Sequence, residues 1–153
     1  AAAWLAADAN RRFEAVRRRS EPGPGPDDPV WGGIYRSPAE YAKTLADQAA
    51  VVASSDAARA KAALNFVERF LRLPGGGYAA SMRGEVELAD GRIEEGFSYF
   101  AKDDAGRRAA GLPAIDRRIF PGPNADMARA VLSSPIAAAA QKAHARRTLG
   151  LLR

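Results

Sequence analysis

Residues 37–77, SPAEYAKTLADQAAVVASSDAARAKAALNFVERFLRLPGGG, decide the fold class. Ser37-Pro38-Ala39-Glu40 carries the marks of a helix start: a hydroxyl to cap, a proline suited to the first helical position, and a glutamate placed to close a capping box. The pattern predicts a helix to about Ala53, with Tyr41, Leu45, Gln48 or Ala49, and Val52 on its inner face. Ser54 or Ser55 caps a second helix over about 56–72. Ala63, Phe66, Val67, Phe70 and Leu71 give it the strongest apolar stripe in the chain, and Pro74 with Gly75-Gly76-Gly77 ends it. Two helices with a short connection make an αα-hairpin.

Upstream, residues 2–19 read as a basic amphipathic helix, with Ala2, Leu5, Ala9, Phe13 and Val16 on one face and charges on the other. Glu21-Pro22-Gly23-Pro24-Gly25-Pro26 cannot continue it, because proline removes donors and the glycines have nothing to bury. The segment 21–36 is thus a Pro/Gly tether followed by an aromatic loop, DDPVWGGIYR. Downstream the period changes. Tyr78–Met82, Glu85–Leu88 and Phe97–Ala101 read as short strands, with Asp90-Gly91 as a tight-turn signal. A linker rich in Arg, Gly and Pro follows. Asn124 then starts a short helix with Met127, Val131 and Leu132 inward, and Ser134-Pro135 starts a last helix to about Leu149. The expectation is a mainly α protein: an N-terminal helix (1–20), the tether and loop (21–36), and a domain (37–153) of αα-hairpins with a small β excursion at about 78–101.

Composition narrows the chemistry. The chain has 153 residues, enough for one domain with a core. Much of its apolar fraction is alanine, which buries little area per residue. Zero cysteines remove disulfides, thiolate catalysis and zinc–thiolate sites. The single histidine, His144, cannot build a multi-histidine metal site. No metal and no cofactor are expected, nor any transmembrane segment. Net charge is +5, with arginines at 11, 12, 17, 18, 19, 107, 108, 117, 118, 146 and 147. Such a field answers to nucleic acid, an anionic membrane surface or an acidic protein face, or is simply a set of solvated helix faces. The small-residue start at Ala1 is of the kind a targeting peptidase leaves. It favours an organellar setting, the chloroplast thylakoid lumen or the mitochondrion.

From Asp28 onward the sequence resembles the YyaL-type, spermatogenesis-associated thioredoxin-like proteins, in the portion that forms an α/α toroid of the six-hairpin glycosidase kind. The matching stretches are Asp28-Pro29-Val30-Trp31-Gly32-Gly33-Ile34-Tyr35, the segment Ala39 to Ala49, Gly76-Gly77-Tyr78-Ala79-Ala80, Glu94-Glu95-Gly96-Phe97-Ser98-Tyr99, and Gly111-Leu112-Pro113-Ala114-Ile115-Asp116 with Asn124-Ala125-Asp126-Met127. The resemblance implies a part-toroid, because a closed ring needs about twelve helices and this chain offers about five. It also implies loss. The family's helical His and Glu fall on Glu40 and Ala42, its acidic hairpin pair on Ser81-Met82-Arg83, and its D-W-N on Gly122-Pro123-Asn124.

The candidate remnants of a sugar-handling cleft are Trp31, Tyr35, Lys43, Asp47, Gln48, Tyr78 and Glu95. Each has a plainer reading beside it. Lys43 and Asp47 stand at i and i+4, surface ion-pair spacing. Glu94-Glu95 beside a glycine is a solvated turn. Trp31, Tyr35 and Tyr78 either line a small pocket near the two Gly-Gly loops or anchor those loops. His144, beside Arg146 and Arg147, reads as a surface residue. No catalytic residue is nominated. The expected function is a non-catalytic accessory or scaffolding subunit of a larger complex, with a photosynthetic or respiratory membrane complex placed ahead of a ribosome. It docks an acidic face through Arg11, Arg12, Arg17, Arg18, Arg19, Pro22, Pro24 and Pro26, and reaches any membrane only through partners. The competing readings are a carbohydrate-active toroid fragment, similar to sugar epimerases and glycosidases, and an RNA-binding accessory protein.

Overall fold

The computed structural model describes residues 27–35 and 41–153. The helix expected at 2–19, the tether, and the capping box at 37–40 lie outside the described residues. So do all the nominated docking residues from Arg11 to Pro26.

The fold is mainly α, with six α-helices and short antiparallel strands among the described residues. Helix α1 spans Leu45–Val52, α2 Ala57–Phe66, α3 Gly96–Ala101, α4 Asp104–Ala110, α5 Pro121–Ser133 and α6 Ala139–Leu151. A π-helical turn, Val67–Leu71, extends α2. Helix α1 packs against both α2 and α5, and α5 packs against α6, so α1 and α5 join two αα-hairpins back to back. Leu45, Val51, Ala63, Phe66, Val67, Leu71, Met127, Val131 and Ala145 bury at this junction. Burying each large side chain stabilises by about 1.5–3 kcal/mol. The interleaved alanines let the helices approach closely.

Helix α1 begins later than its sequence signals place it. Tyr41 has a left-handed backbone (φ 47°), and Lys43–Thr44 is strand β1, paired antiparallel with β2 (Ser81–Met82) in the register Lys43↔Met82. Strand β2 also pairs with β5 (Ile115–Asp116). The ladder continues to the first residue of α1, where Leu45 N–H donates to Ala80 C=O at 2.8 Å. Non-local strand pairing therefore overrides the local helix pattern at Lys43–Thr44, and Thr44 caps α1 by accepting from Asp47 N–H. The cap of α2 is Asp56 rather than Ser54 or Ser55. Ser54 instead donates to Val51 C=O and closes the end of α1.

The hairpin is real, but its second strand is different. Strand β3 (Val86–Glu87) pairs with β4 (Ile93–Glu94), not with Phe97–Ala101. A tight turn at Asp90-Gly91 brings Leu88 N–H to Arg92 C=O at 2.8 Å, so the pairing is finished by Glu94. Residues 97–101 then wind into α3, which buries Tyr99. The stretch expected as a plain linker contains α4, capped by Asp103, and β5. Helix α6 starts at Ala139 rather than at Ser134-Pro135. Ser134 ends α5, and the Gln141 side chain caps α6 by accepting from Ala138 N–H at 2.7 Å.

Candidate functional site

The loop 27–35 closes on itself through an antiparallel bridge between Asp27 and Ile34. Helix α1 then clasps it from below. Gln48, fully buried, accepts from Ile34 N–H at 3.0 Å and donates to Ile34 C=O at 2.9 Å. A Cβ on Gly33 (φ +74°) would lie 2.7 Å from Phe66 Cγ and 3.1 Å from Gln48 Oε1. Only glycine lets the loop sit this close to α2 without strain.

Inside this clasp lies a buried ionic node. The Asp28 carboxylate accepts from Val30 N–H at 2.9 Å, from Lys43 Nζ at 2.5 Å, and from Arg107 Nη2 at 2.9 and 2.8 Å. Lys43 donates as well to Gly32 C=O at 2.7 Å, and Arg107 to Tyr35 Oη at 3.2 Å. Asp28, Lys43 and Arg107 are 4%, 1% and 4% exposed, so two cations and one anion are held away from water. Aromatic faces take part of the excess positive charge. Lys43 Nζ lies 5.1 Å from the Tyr35 centroid and 4.9 Å from that of Phe66, and the Arg107 guanidinium lies 4.5 Å from Phe100 and 5.2 Å from Tyr99. Arg107 Nε is buried without a hydrogen-bond partner.

The titration behaviour follows from this arrangement. Burial opposes the ionised Asp28, but the adjacent Lys43 and Arg107 outweigh it and hold the carboxyl below its ordinary value. Lys43 shares that single anion, so burial prevails and pulls its ammonium down to about 8. Burial, reinforced by Asp28, pushes the Tyr35 phenol up. At neutral pH the node holds one carboxylate, two cations and one neutral phenol.

Of the cleft residues expected from sequence, Trp31, Tyr35, Lys43 and Gln48 come together here. Trp31 is half-buried; its indole N–H donates to Tyr99 Oη at 2.5 Å, and its ring meets Phe70 edge-on at 6.4 Å. Lys43 is not a surface partner of Asp47. It is on β1, paired with Asp28, while Asp47 accepts from the Thr44 hydroxyl. Glu95 is exposed at the start of α3, in a groove of about 480 Å³ with Tyr41, Glu85, Ile93 and Phe97.

Tyr78 belongs to a separate cluster with His144. Asn124, fully buried on α5, clasps Tyr78, accepting from its N–H at 2.7 Å and donating to its C=O at 3.0 Å. His144 is fully buried rather than on the surface, with its Nε2 3.0 Å from Gly77 C=O and its ring edge-on to Tyr78 at 4.9 Å. A carbonyl can only accept, so Nε2 carries the proton and Nδ1 faces Arg147 Nη2 at 3.4 Å. Burial lowers the His144 pKa against the opposing effect of that carbonyl. The helix face misled the sequence reading, because the basic neighbours Arg146 and Arg147 point outward while His144, Ala145 and Thr148 point in.

Asp28, Arg107 and Tyr99 were not nominated from sequence. Asp28 opens the quoted loop motif, and Tyr99 closes the Glu94–Tyr99 stretch, so motif position was the available signal. Arg107 was marked only as one arginine of the basic field or of a solvated helix face, and it is buried instead. Among the described residues there is no grouping of His, Asp and Glu able to hold a metal, and no helix long and apolar enough to cross a membrane. Comparison with known protein families, with curated proteins and with solved structures finds no match for this chain.

Proposed function

We propose that this chain is a non-catalytic accessory or scaffolding subunit, built on part of an α/α toroid, that docks on a larger assembly with an acidic face. The observation that carries this reading is where the polar groups of the expected cleft point. Lys43, Tyr35 and Trp31 are bonded to Asp28, Arg107 and Tyr99, and Gln48 is bonded to the Ile34 backbone. A substrate must exchange partners with the groups that bind it, and a buried network already satisfied within the fold resists that exchange. Two αα-hairpins packed through α1 and α5 are compatible with a segment of a toroid. The net charge of +5 favours an acidic partner over a basic one.

The test is in-cell cross-linking of a tagged chain, followed by size exclusion with light scattering. A partner recovered in fixed stoichiometry is expected. An inert monomer with no partner overturns the reading.

The second reading, a carbohydrate-active fragment, is favoured by one feature. The groove beside α3 is lined by two acidic residues, Glu85 and Glu95, together with Tyr41, and glycoside chemistry uses a carboxyl pair. It requires a saccharide that raises the melting temperature of the wild type, together with a Glu95→Gln variant that loses this response while melting as before.

A further inference from the structure

Ile119, Phe120 and Leu151 are 44%, 45% and 58% exposed. Glycine brings Ile119 and Leu151 together. A Cβ on Gly76 would sit 2.8 Å from Leu151 Cδ1, and one on Gly77 3.1 Å from Ile119 Cδ1. The two aliphatic side chains thus lie on bare backbone, on either side of the 76–77 turn. The surrounding charge is mostly positive, with one carboxylate, Asp116, already paired to Arg118. Arg147 stands one helical turn before Leu151 on α6, and its Cβ is 4.0 Å from the same Gly76 position. Arg117 is exposed, and the Arg118 guanidinium stacks over Phe120 at 5.4 Å while pairing with Asp116. From Ala130 to Arg153 there is no Asp or Glu, against Lys142, Arg146, Arg147 and Arg153.

We infer that this rim is the face that receives the partner, and that its occupant is an acidic amphipathic protein segment. Aliphatic side chains would bury against Ile119 and Leu151, while carboxylates would meet Arg117 and Arg147. Charge complementarity selects this occupant. A second copy laid rim to rim would set arginine against arginine. A nucleic acid would satisfy the arginines and find one ring to stack on, Phe120, but would leave Ile119 and Leu151 against a phosphate backbone, whereas nucleic-acid platforms stack successive bases on several aromatics. The rim deepens the subunit reading and rests on it.

The experiment is fluorescence anisotropy with the full chain and a labelled synthetic helical peptide of roughly 18 residues, about five turns, built from Glu, Leu and Ala. A peptide with Lys for Glu and an oligouridylate of equal length are compared. Saturable binding of the acidic peptide is expected, weakened about tenfold or more in Ile119→Ser/Leu151→Ser, and weakened by salt and by Arg117→Gln/Arg147→Gln. Melting curves verify folding of each pair of substitutions, so that a misfolded apolar variant leaves the arginine variant to decide. Equal binding of the lysine peptide, tighter binding of the oligouridylate, or unchanged binding in both variants overturns the inference. Self-association of the wild type that the Ile119→Ser/Leu151→Ser change abolishes also overturns it, in favour of a second copy. Any of these results leaves the subunit reading standing if a stoichiometric partner is still recovered in cells. A saccharide response lost in Glu95→Gln sinks the subunit reading by itself.

Discussion

The loops at 27–35 and 75–79 are each clasped by one buried carboxamide from a helix, Gln48 on Ile34 in the first and Asn124 on Tyr78 in the second. What surrounds the clasp differs. Beside Gln48 sit three charges and a phenol, with Asp28 satisfying two cations at once. Beside Asn124 sit neutral groups: Gly77 N–H donates to Thr148 Oγ1 at 3.1 Å, and His144 bonds Gly77 C=O. The neutral region gains modestly from each bond and loses modestly when one goes. The ionic region gains little net stability over an apolar core but is severe on partial loss, because a stranded buried charge has no water to retreat to. The first region is thus specific in composition, and the second tolerant by comparison.

Removing the anion is the hardest blow to that contrast. Asp28→Asn strands Lys43 and Arg107 and is expected to cost about 3–5 kcal/mol in urea denaturation. Replacing all three charges together, as Asp28→Leu/Lys43→Met/Arg107→Met, is expected to recover most of that loss. A triple variant as unstable as the single one would show that the node stabilises in its own right. Next in size, Asn124→Leu leaves the buried Tyr78 N–H and C=O unpaired, for an expected cost of about 2–4 kcal/mol by the same measurement. If Asn124→Leu proved costlier than Asp28→Asn, the ranking of the two regions would reverse. Gly33→Ala forces a side chain into Phe66 at positive φ and is expected to cost about 1–3 kcal/mol, read as a lowered melting temperature.

The smallest effects come from pH, with each region answering at its own end of the scale. The folded Lys43, at about 8, lies below the ordinary lysine value of 10.5. The folded state therefore binds fewer protons between those values, and stability rises as pH climbs from about 8 toward 10.5. Lys43→Met should flatten that rise in the urea midpoint. Tyr35 has the opposite sign: its raised pKa favours the fold below the ordinary tyrosine value of 10, and that contribution is lost above it. His144, lowered by burial and faced by Arg72 and Arg147 as well as Glu68, contributes stability above its ordinary value of 6.5 that is lost as pH falls below it. A urea midpoint that does not move between pH 7 and 5, or that moves equally in His144→Asn, would remove His144 from this account.

How much was legible follows from the range of each interaction. The α1–α2 and α5–α6 hairpins were readable because apolar periodicity is local: Ala63, Phe66, Val67 and Leu71 on one side, Met127 and Val131 on the other, are buried as spaced. Tyr35, Trp31, Lys43 and Gln48 were readable as a group, though with Lys43 in the wrong role. Arg107 was not readable, since the residues that give it a function lie 72 and 79 positions away, at Tyr35 and Asp28. The same holds for β1 and for His144, whose partner Gly77 is 67 residues distant.

Sequence alone determined the class of the protein: helices paired by short connections, an Asp90-Gly91 hairpin, a basic balance, and no thiol chemistry. Tertiary structure decided everything that turns on partnership. It decided whether Lys43–Thr44 is helix or strand, which of the charged residues are buried, and whether Lys43 faces water or Asp28. The physical reason is that periodicity measures how a segment presents itself to a core. A buried charge survives only through particular atoms brought to it from elsewhere in the chain.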